Sequence, residues 1–255
     1  MKWLLHFFPR PILIRLSLQF RPLLKWWYRG TQFTDPIDSS GYRKFLPYGY
    51  GKTLRPNALC PGTLSLERHR LLWLYLKQHT SFLTQSLAVL HVAPEQVFYK
   101  KFKAIKAWDY VTTDLHSPLA DVKADLCNLP FKDQQFDLIF CNHVLEHIVH
   151  DQQAMQELYR VLQKGGTLIA QVPLEESRAK TYEDPSITKP QERAKVFGQY
   201  DHVRIYGLDY YDRLQKAGFS IQAVFIQEQL SPQEINRYAL PPHEKIPVAI
   251  KNTHP

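Results

Sequence analysis

Glycine is scarce in this chain, with ten residues in 255 against 18 prolines. Backbone turns that pass close to phosphate or nucleotide groups ordinarily use glycine. No G-x-x-x-x-G-K-[ST] loop occurs, which excludes a P-loop nucleotide hydrolase. Cysteine is scarce as well: Cys60, Cys127 and Cys141 form no C-x-x-C pair. That excludes a disulfide framework and points to free thiols in a reducing cytoplasm. H-E-x-x-H and G-x-S-x-G are both missing, which removes zinc-helix proteases and elbow-type serine hydrolases. Residues 1–30 contain no acid, and no uncharged run there approaches the ~20 residues of a membrane-crossing helix.

What charge there is lies unevenly. The formal net charge is +8, but Lys2, Arg10, Arg15, Arg21, Lys25 and Arg29 all fall within the first thirty residues. The remainder holds 26 basic and 24 acidic side chains, so the body is nearly neutral and a nucleic-acid partner is not expected. The stretch 1–30 is also apolar and aromatic, has no small-residue cleavage site, and is divided by Pro9, Pro11 and Pro22. Arg21, Lys25 and Arg29 recur every four residues beside Trp26, Trp27 and Tyr28. This suits an amphipathic arm that holds a cytoplasmic protein peripherally on the acidic inner face of a membrane. Packing of the arm on the protein's own body is the alternative.

Residues 31–83 read as loop followed by a lead-in helix. Two turns, Asp35-Pro36-Ile37-Asp38 and Cys60-Pro61-Gly62-Thr63, share an x-Pro-x-x spacing. The helix from Leu64 to Leu83 places Leu66, Arg70, Trp73, Leu74 and Lys77 at helical intervals, with Ser65 as its cap. From residue 84 onward strands and helices alternate. Strands are expected at Leu87–Ala93, Tyr110–Asp114, Asp121–Asp125, Phe136–Asn142, Thr167–Pro173, 218–226 and 245–251. Helices are expected at Pro94–Ile105, with Pro94 in the first turn, at Asp151–Gln163, capped by Asp151 and stopped by Gly165, and at Asp209–Ala217. Such alternation implies an α/β fold, a mostly parallel sheet with helices on both faces, whose ligands bind at the strands' carboxyl ends.

The segment DLIFCNHVLEHIVHDQQAMQELYRVLQKGGTLIAQVPL, residues 137–174, carries Leu145-Glu146-His147 after a strand and Arg160-Val161-Leu162 with Gly165-Gly166 before the next. It resembles the class I S-adenosylmethionine-dependent methyltransferases, in particular their small-molecule, type-11-like group. The resemblance covers about residues 87–251. It implies a Rossmann-like sheet of seven strands in the order 3-2-1-4-5-7-6, strand seven antiparallel, with S-adenosylmethionine as cofactor. Residues 31–70 resemble the zinc-ribbon extensions that precede some of these domains. Asp35, Asp38 and Thr63 stand where cysteines would be, so no metal is expected, and Phe45, Leu46, Tyr48 and Leu59 are expected to hold the remnant together.

The resemblance also places the cofactor residues. In VLHVAPEQV, His91 stands at the usual acid and Ala93, Glu95 and Val97 at the usual glycines, with Pro94 between them. Asp114, followed by Leu115, falls 23 residues after His91, where a carboxylate accepts from the two ribose hydroxyls. Asp125 and the Leu126 amide take the adenine positions, and Asn142 and His143 face the methionine part. Only ten residues separate Asp114 from Asp125, too few for a helical crossover, so a loop is expected there. Asn142-His143-Val144 replaces the N-P-P-[Y/F] of amino-methylating DNA enzymes. Loss of the glycines leaves two readings open: a pocket that still works, with Glu95 as an anchor near the cofactor's positive charge, or a non-catalytic binding scaffold.

Residues 174–207 form the candidate lid. Within it, His202, Arg204 and Tyr206 alternate, so an extended segment puts all three on one side. His202 is the candidate general base, with His143 a further candidate. Arg204 would hold an anionic substrate group, with Tyr206 beside it. A structural polar cluster is the competing account of these residues. The acceptor is expected to be a small or lipid-linked molecule, and an RNA substrate is the weaker alternative.

Overall fold

A strand covered on both faces must be apolar throughout, and Leu87–Val92 meets that requirement except at His91. In the computed structural model, which describes residues 21–49, 54–118 and 120–253, this strand lies at the centre of a seven-stranded sheet. The chain divides into two units. One takes residues up to 81 together with 225–244, and the other takes 82–224 with 245–255.

In the first unit, β1 (Arg29–Asp35) pairs with β2 (Ser40–Tyr42), and β3 (Leu46–Tyr48) with β4 (Arg55–Leu59), both antiparallel. The two proline turns meet through hydrogen bonds. The Asp35 carboxylate accepts from the Ile37 amide, from the Ser65 hydroxyl at 2.8 Å and from the Thr63 hydroxyl. Asp38 accepts from the Ser40 amide. Tyr42, Phe45 and Cys60 form the buried cluster beside these turns. Of the four residues expected to hold this region, only Phe45 is buried. Tyr48 is exposed, because a two-stranded ribbon leaves one face in water.

The helix α1 (Glu67–Gln78) takes Leu66 rather than Ser65 as its cap, because the Ser65 hydroxyl is committed to Asp35. Arg70 is fully buried and donates to the carbonyls of Ala58, Ser65, Tyr238 and Ala239. These bonds explain why residues 225–244 belong with the N-terminal unit, not with the sheet domain expected to run unbroken from 84 to 255.

The arm is described only from residue 21. Its first twenty residues lie outside the described residues. Residues 21–27 are helical, whereas Arg29 already belongs to β1, so the three cations do not share one helix face. Arg21 donates to the Gly62 carbonyl at 2.8 Å and Lys25 to Asp38 at 2.8 Å, so both point at their own unit. Leu23, Trp26 and Trp27 are exposed.

In the second unit, β5 (Leu87–Val92) is followed by α2 (Gln96–Lys103), β6 (Trp108–Asp114), β7 (Val122–Lys123) and β8 (Phe136–Cys141). Then come α3 (Asp151–Val161), β9 (Leu162–Ile169), the lid pair β10 (Tyr182–Glu183) and β11 (Arg204–Ile205) with α4 (Pro190–Val196) between them, and finally α5 (Tyr210–Lys216), β12 (Ser220–Val224) and β13 (Ile246–Ile250). The sheet order is β7-β6-β5-β8-β9-β13-β12, and β13 runs antiparallel to both its neighbours. This is the 3-2-1-4-5-7-6 order implied by the resemblance. Helices cover both faces. Alternate residues His91 and Phe140 contact Phe102 of α2, while Leu90, Val92, Ile139 and Cys141 pack with Met155 and Leu158 of α3.

Three local expectations shift. The third strand is only Val122–Lys123, although the connection to it is the expected loop. The fifth strand starts at Leu162, so Gly165 and Gly166 lie inside β9 and do not stop the helix. Gly165 has φ +78°, and a Cβ on Gly166 would meet the Asp137 carbonyl at 3.0 Å, so both glycines serve an irregular β8–β9 pairing. His150, not Asp151, is the cap of α3. The Asp151 carboxylate is buried and turned towards Tyr206 and Arg213.

Candidate functional site

The carboxyl ends of β5, β6, β8 and β9 lie side by side, and Ala93, Asp114, Asn142 and His143 follow or end these strands. After β5 the chain turns through Ala93 at φ +48°, with the Ala93 amide donating to the Thr113 carbonyl at 2.8 Å. The left-handed region costs a non-glycine residue roughly 1–2 kcal/mol. Ala93 adopts it all the same, so the turn keeps a glycine-type path without glycine. Pro94 is buried ahead of the helix, and α2 begins at Gln96 with Glu95 as its cap, two residues later than expected.

His91 does not face the site. It is fully buried on the α2 side, its Nδ1 2.7 Å from the Tyr110 hydroxyl and its Nε2 accepting weakly from the Glu95 amide at 3.4 Å. Burial pushes this imidazole down to about 4. The expectation of a cofactor contact is corrected: His91 fixes the turn from behind, because strand alternation points it into the aromatic layer. Glu95 instead reaches across to β8, where the Asn142 side-chain amide donates to its carboxylate at 3.3 Å.

At the end of β6 the Asp114 carboxylate accepts from the amides of His116 and Ser117 at 2.7 and 2.6 Å. These bonds fold the short loop that replaces a helix. Leu115 is 54% exposed beside it. The Ala124 amide donates to the Asp114 carbonyl, which brings Asp125 next to the same strand end. Asp125 is exposed and accepts from the Cys127 amide, while the Leu126 side chain is buried in the core.

Beyond β8 a polar cluster forms. Asn142 accepts from the Gln171 amide at 3.1 Å, and the His143 amide donates to the Gln171 carbonyl. His143 sits at φ +53° with Nδ1 3.3 Å from the Glu146 carboxylate. Burial works to raise the Glu146 pKa, but the His143 hydrogen bond and the nearby histidines outweigh it and hold the group below its ordinary range. The His147 and His202 rings meet edge to face with centroids 4.8 Å apart. Burial lowers His202, which favours its neutral form. Among the described residues, His143 Nε2, Glu146 Oε2, Gln171 Nε2, Asp201 Oδ1 and His202 Nε2 are buried and make no hydrogen bond. Native proteins rarely leave such groups unsatisfied away from a ligand site.

Arg204 and Tyr206 serve the lid rather than a substrate. The Arg204 side chain is 2% exposed and donates to the carbonyls of Leu145, Ile148 and Val149 and to the Glu183 carboxylate. Tyr206 is fully buried and donates to Asp151 at 2.7 Å, which Arg213 grips with two nitrogens. Every donor of Arg204 is committed within the fold, so the substrate-anchor reading of both residues is corrected to a positioning role. The sequence marks His147 only as part of the Leu145-Glu146-His147 motif after β8. Asp151, Gln171, Glu183 and Arg213 left no signal in the sequence spacing, because their partners lie 21 to 62 residues away.

Residues 81–170 match a family model described as a methyltransferase domain. An uncharacterized protein of Methanocaldococcus jannaschii is 42% identical over 57 residues, which is 22% of this chain and 25% of that protein, so the match spans about a quarter of the relative. The solved structure of the [4+2]-cyclase SpnF is 15% identical and covers 93% of this chain and 96% of its own, with a TM-score of 0.51. An S-adenosylmethionine-dependent methyltransferase from Mesorhizobium loti is 15% identical, covering 69% and 96%, with a TM-score of 0.46.

Proposed function

We propose that this chain, whose sheet domain belongs to the class I S-adenosylmethionine-dependent methyltransferases, transfers a methyl group to a small-molecule or lipid-linked acceptor held under the lid. The observation that carries this is the left-handed Ala93 turn opposite Asp114: the backbone path of the cofactor loop persists where its glycines are gone. The donor set fits the cofactor. Asp114 offers carboxylate acceptors to the ribose hydroxyls, Asp125 and the Leu126 amide suit adenine, and Glu95 and Asn142 suit the charged methionine end. Bound there, S-adenosylmethionine supplies a methyl group activated on a sulfonium. The chain's own residues then orient the acceptor. His143 is the group proposed to take a proton from it, and the lid tied down by Arg204 excludes water.

Calorimetric titration with S-adenosylmethionine and S-adenosylhomocysteine tests the reading. Wild-type protein is expected to bind in the micromolar range. Asp114→Ala and Asp114→Asn are each expected to weaken binding about 10- to 100-fold, the scale of a lost charged hydrogen bond. The Asn variant keeps an acceptor for the loop amides, so its loss reports the ribose contact rather than the loop. A folded protein that binds neither ligand would favour the scaffold reading instead.

The exposed Leu23, Trp26 and Trp27 support a second element of the proposal, peripheral docking on an acidic membrane through the headgroup layer. In flotation with phosphatidylserine-containing vesicles, the full chain is expected to float, and a Trp26→Ser/Trp27→Ser variant to lose about tenfold or more in partitioning. Equal flotation of the two proteins would remove the membrane element.

A further inference from the structure

The three side chains Glu146, His147 and His202 are brought together by the fold and not by the sequence. Each offers a donor atom, and these atoms lie within 4.8 Å of one another. Two of the three residues are deeply buried: Glu146 is 2% and His202 6% exposed. Both carry an atom with no hydrogen-bond partner, Oε2 on Glu146 and Nε2 on His202.

The remaining contacts orient these groups as ligands. The His147 Nδ1 faces the Asp201 carbonyl at 3.2 Å and the Asp201 carboxylate at 3.6 Å. Both are acceptors only, so the proton sits on Nδ1 and the lone pair on Nε2. The His202 ring interacts with the Phe197 backbone, and its Nε2 makes no hydrogen bond. His143 holds the second oxygen of the Glu146 carboxylate at 3.3 Å. A ring nitrogen donating to a backbone carbonyl while its partner nitrogen stays open, together with a hydrogen-bonded carboxylate, is the outer-shell arrangement that orients metal ligands.

We propose that Glu146, His147 and His202 bind a divalent transition-metal ion, with zinc the fitted probe. Two imidazoles and one carboxylate form a recognised zinc ligand set that leaves a position open for water or a substrate oxygen. Zinc–nitrogen bonds of about 2.0–2.1 Å require donors roughly 3.4 Å apart, so the side chains close in by about an ångström. The ion links two segments that are already joined, since the Val203 amide donates to the Glu146 carbonyl at 3.0 Å. It thereby fastens the lid to the loop after β8. The binding itself does not depend on methyl transfer.

The test uses the untagged full chain, titrated with Zn²⁺ against a chromophoric chelator and, separately, with Co²⁺ followed by visible absorption. One equivalent is expected to bind, with a cobalt spectrum of nitrogen and oxygen ligation. Glu146→Gln and His202→Ala are expected to weaken zinc by about 100-fold or more, since even outer-shell losses cost 10–100-fold. His147→Gln, at the half-exposed edge, provides a variant whose folding is not at risk, and circular dichroism verifies all three. Binding that survives His147→Gln and His202→Ala, a thiolate charge-transfer band from a cysteine site, or no binding of either metal would each overturn the proposal. S-adenosylhomocysteine affinity measured on the same samples separates failure of this site from failure of the cofactor reading.

Discussion

Arg204→Met is expected to lower the unfolding free energy by about 3–5 kcal/mol, the usual cost of breaking a buried ion pair by removing one partner. The Arg204 side chain is 2% exposed and lies 3.7 Å from Asp151, itself 4% exposed. Removing it takes a charged donor from the carbonyls of Leu145, Ile148 and Val149, of which Leu145 keeps the Tyr206 hydroxyl and the Ile148 amide, and leaves Glu183 with Arg213 as its remaining cation. Methionine keeps much of the volume, so packing loss contributes little. Urea unfolding at neutral pH measures the effect, with the midpoint moving and the slope constant. The folded variant is still expected to bind S-adenosylhomocysteine, because Arg204 lies on the lid and not at the cofactor strands. A loss below about 1 kcal/mol would show that Arg204 is not part of the protein's architecture, and the substrate-anchor reading would regain force.

The second large effect is on acid stability and comes from His91. Its imidazole is held at about 4, below its ordinary 6.5, because charging it in the aromatic layer is unfavourable. Between these values the unfolded chain binds a proton that the folded protein does not. Stability is therefore full above pH 6.5 and falls as pH drops towards 4, by about 1.4 kcal/mol per unit and about 3 kcal/mol in all. His91→Phe is expected to remove that dependence between pH 6.5 and 4. At pH 7 the same variant loses the Tyr110 and Glu95 bonds and so gains nothing. Denaturant midpoints taken across this pH range decide the matter. Parallel curves for the two proteins would mean that the histidine charges without penalty, and that its burial is relieved by local opening.

Much of the sheet was legible in the sequence because its signals are local. Leu87–Val92 and Phe136–Cys141 are short apolar runs bounded by turn residues, and their burial on both faces follows from composition alone. The short spacing from Asp114 to Asp125 excludes a helix on length alone, since ten residues cannot form a crossover. The site was legible only in part. Asp114, Asn142 and Glu95 fall at strand ends that the topology brings together, so naming the strands placed them. His91 was misplaced because its position along the strand was clear, while the face it points to depends on what packs behind it. Arg204 was misread because its partners are carbonyls 55 to 59 residues away, and backbone carbonyls leave no mark in a sequence.

The sequence by itself determined the α/β class, the order of the seven strands through its family resemblance, the loop between Asp114 and Asp125, and the separation of a basic arm from a near-neutral body. Apart from the strand order, which the resemblance implies, these follow from periodicity, chain length and charge count, which are properties of neighbouring residues. Only the tertiary structure decided that Ala93 takes the left-handed turn, that residues 225–244 join the N-terminal unit through Arg70, and that Glu146, His147 and His202 converge. The last two are contacts between residues far apart in the chain, and the first is pinned by the Ala93 amide's bond to the Thr113 carbonyl on the neighbouring strand. Such contacts depend on the direction in which a side chain leaves the backbone, and that direction is fixed only when the elements pack.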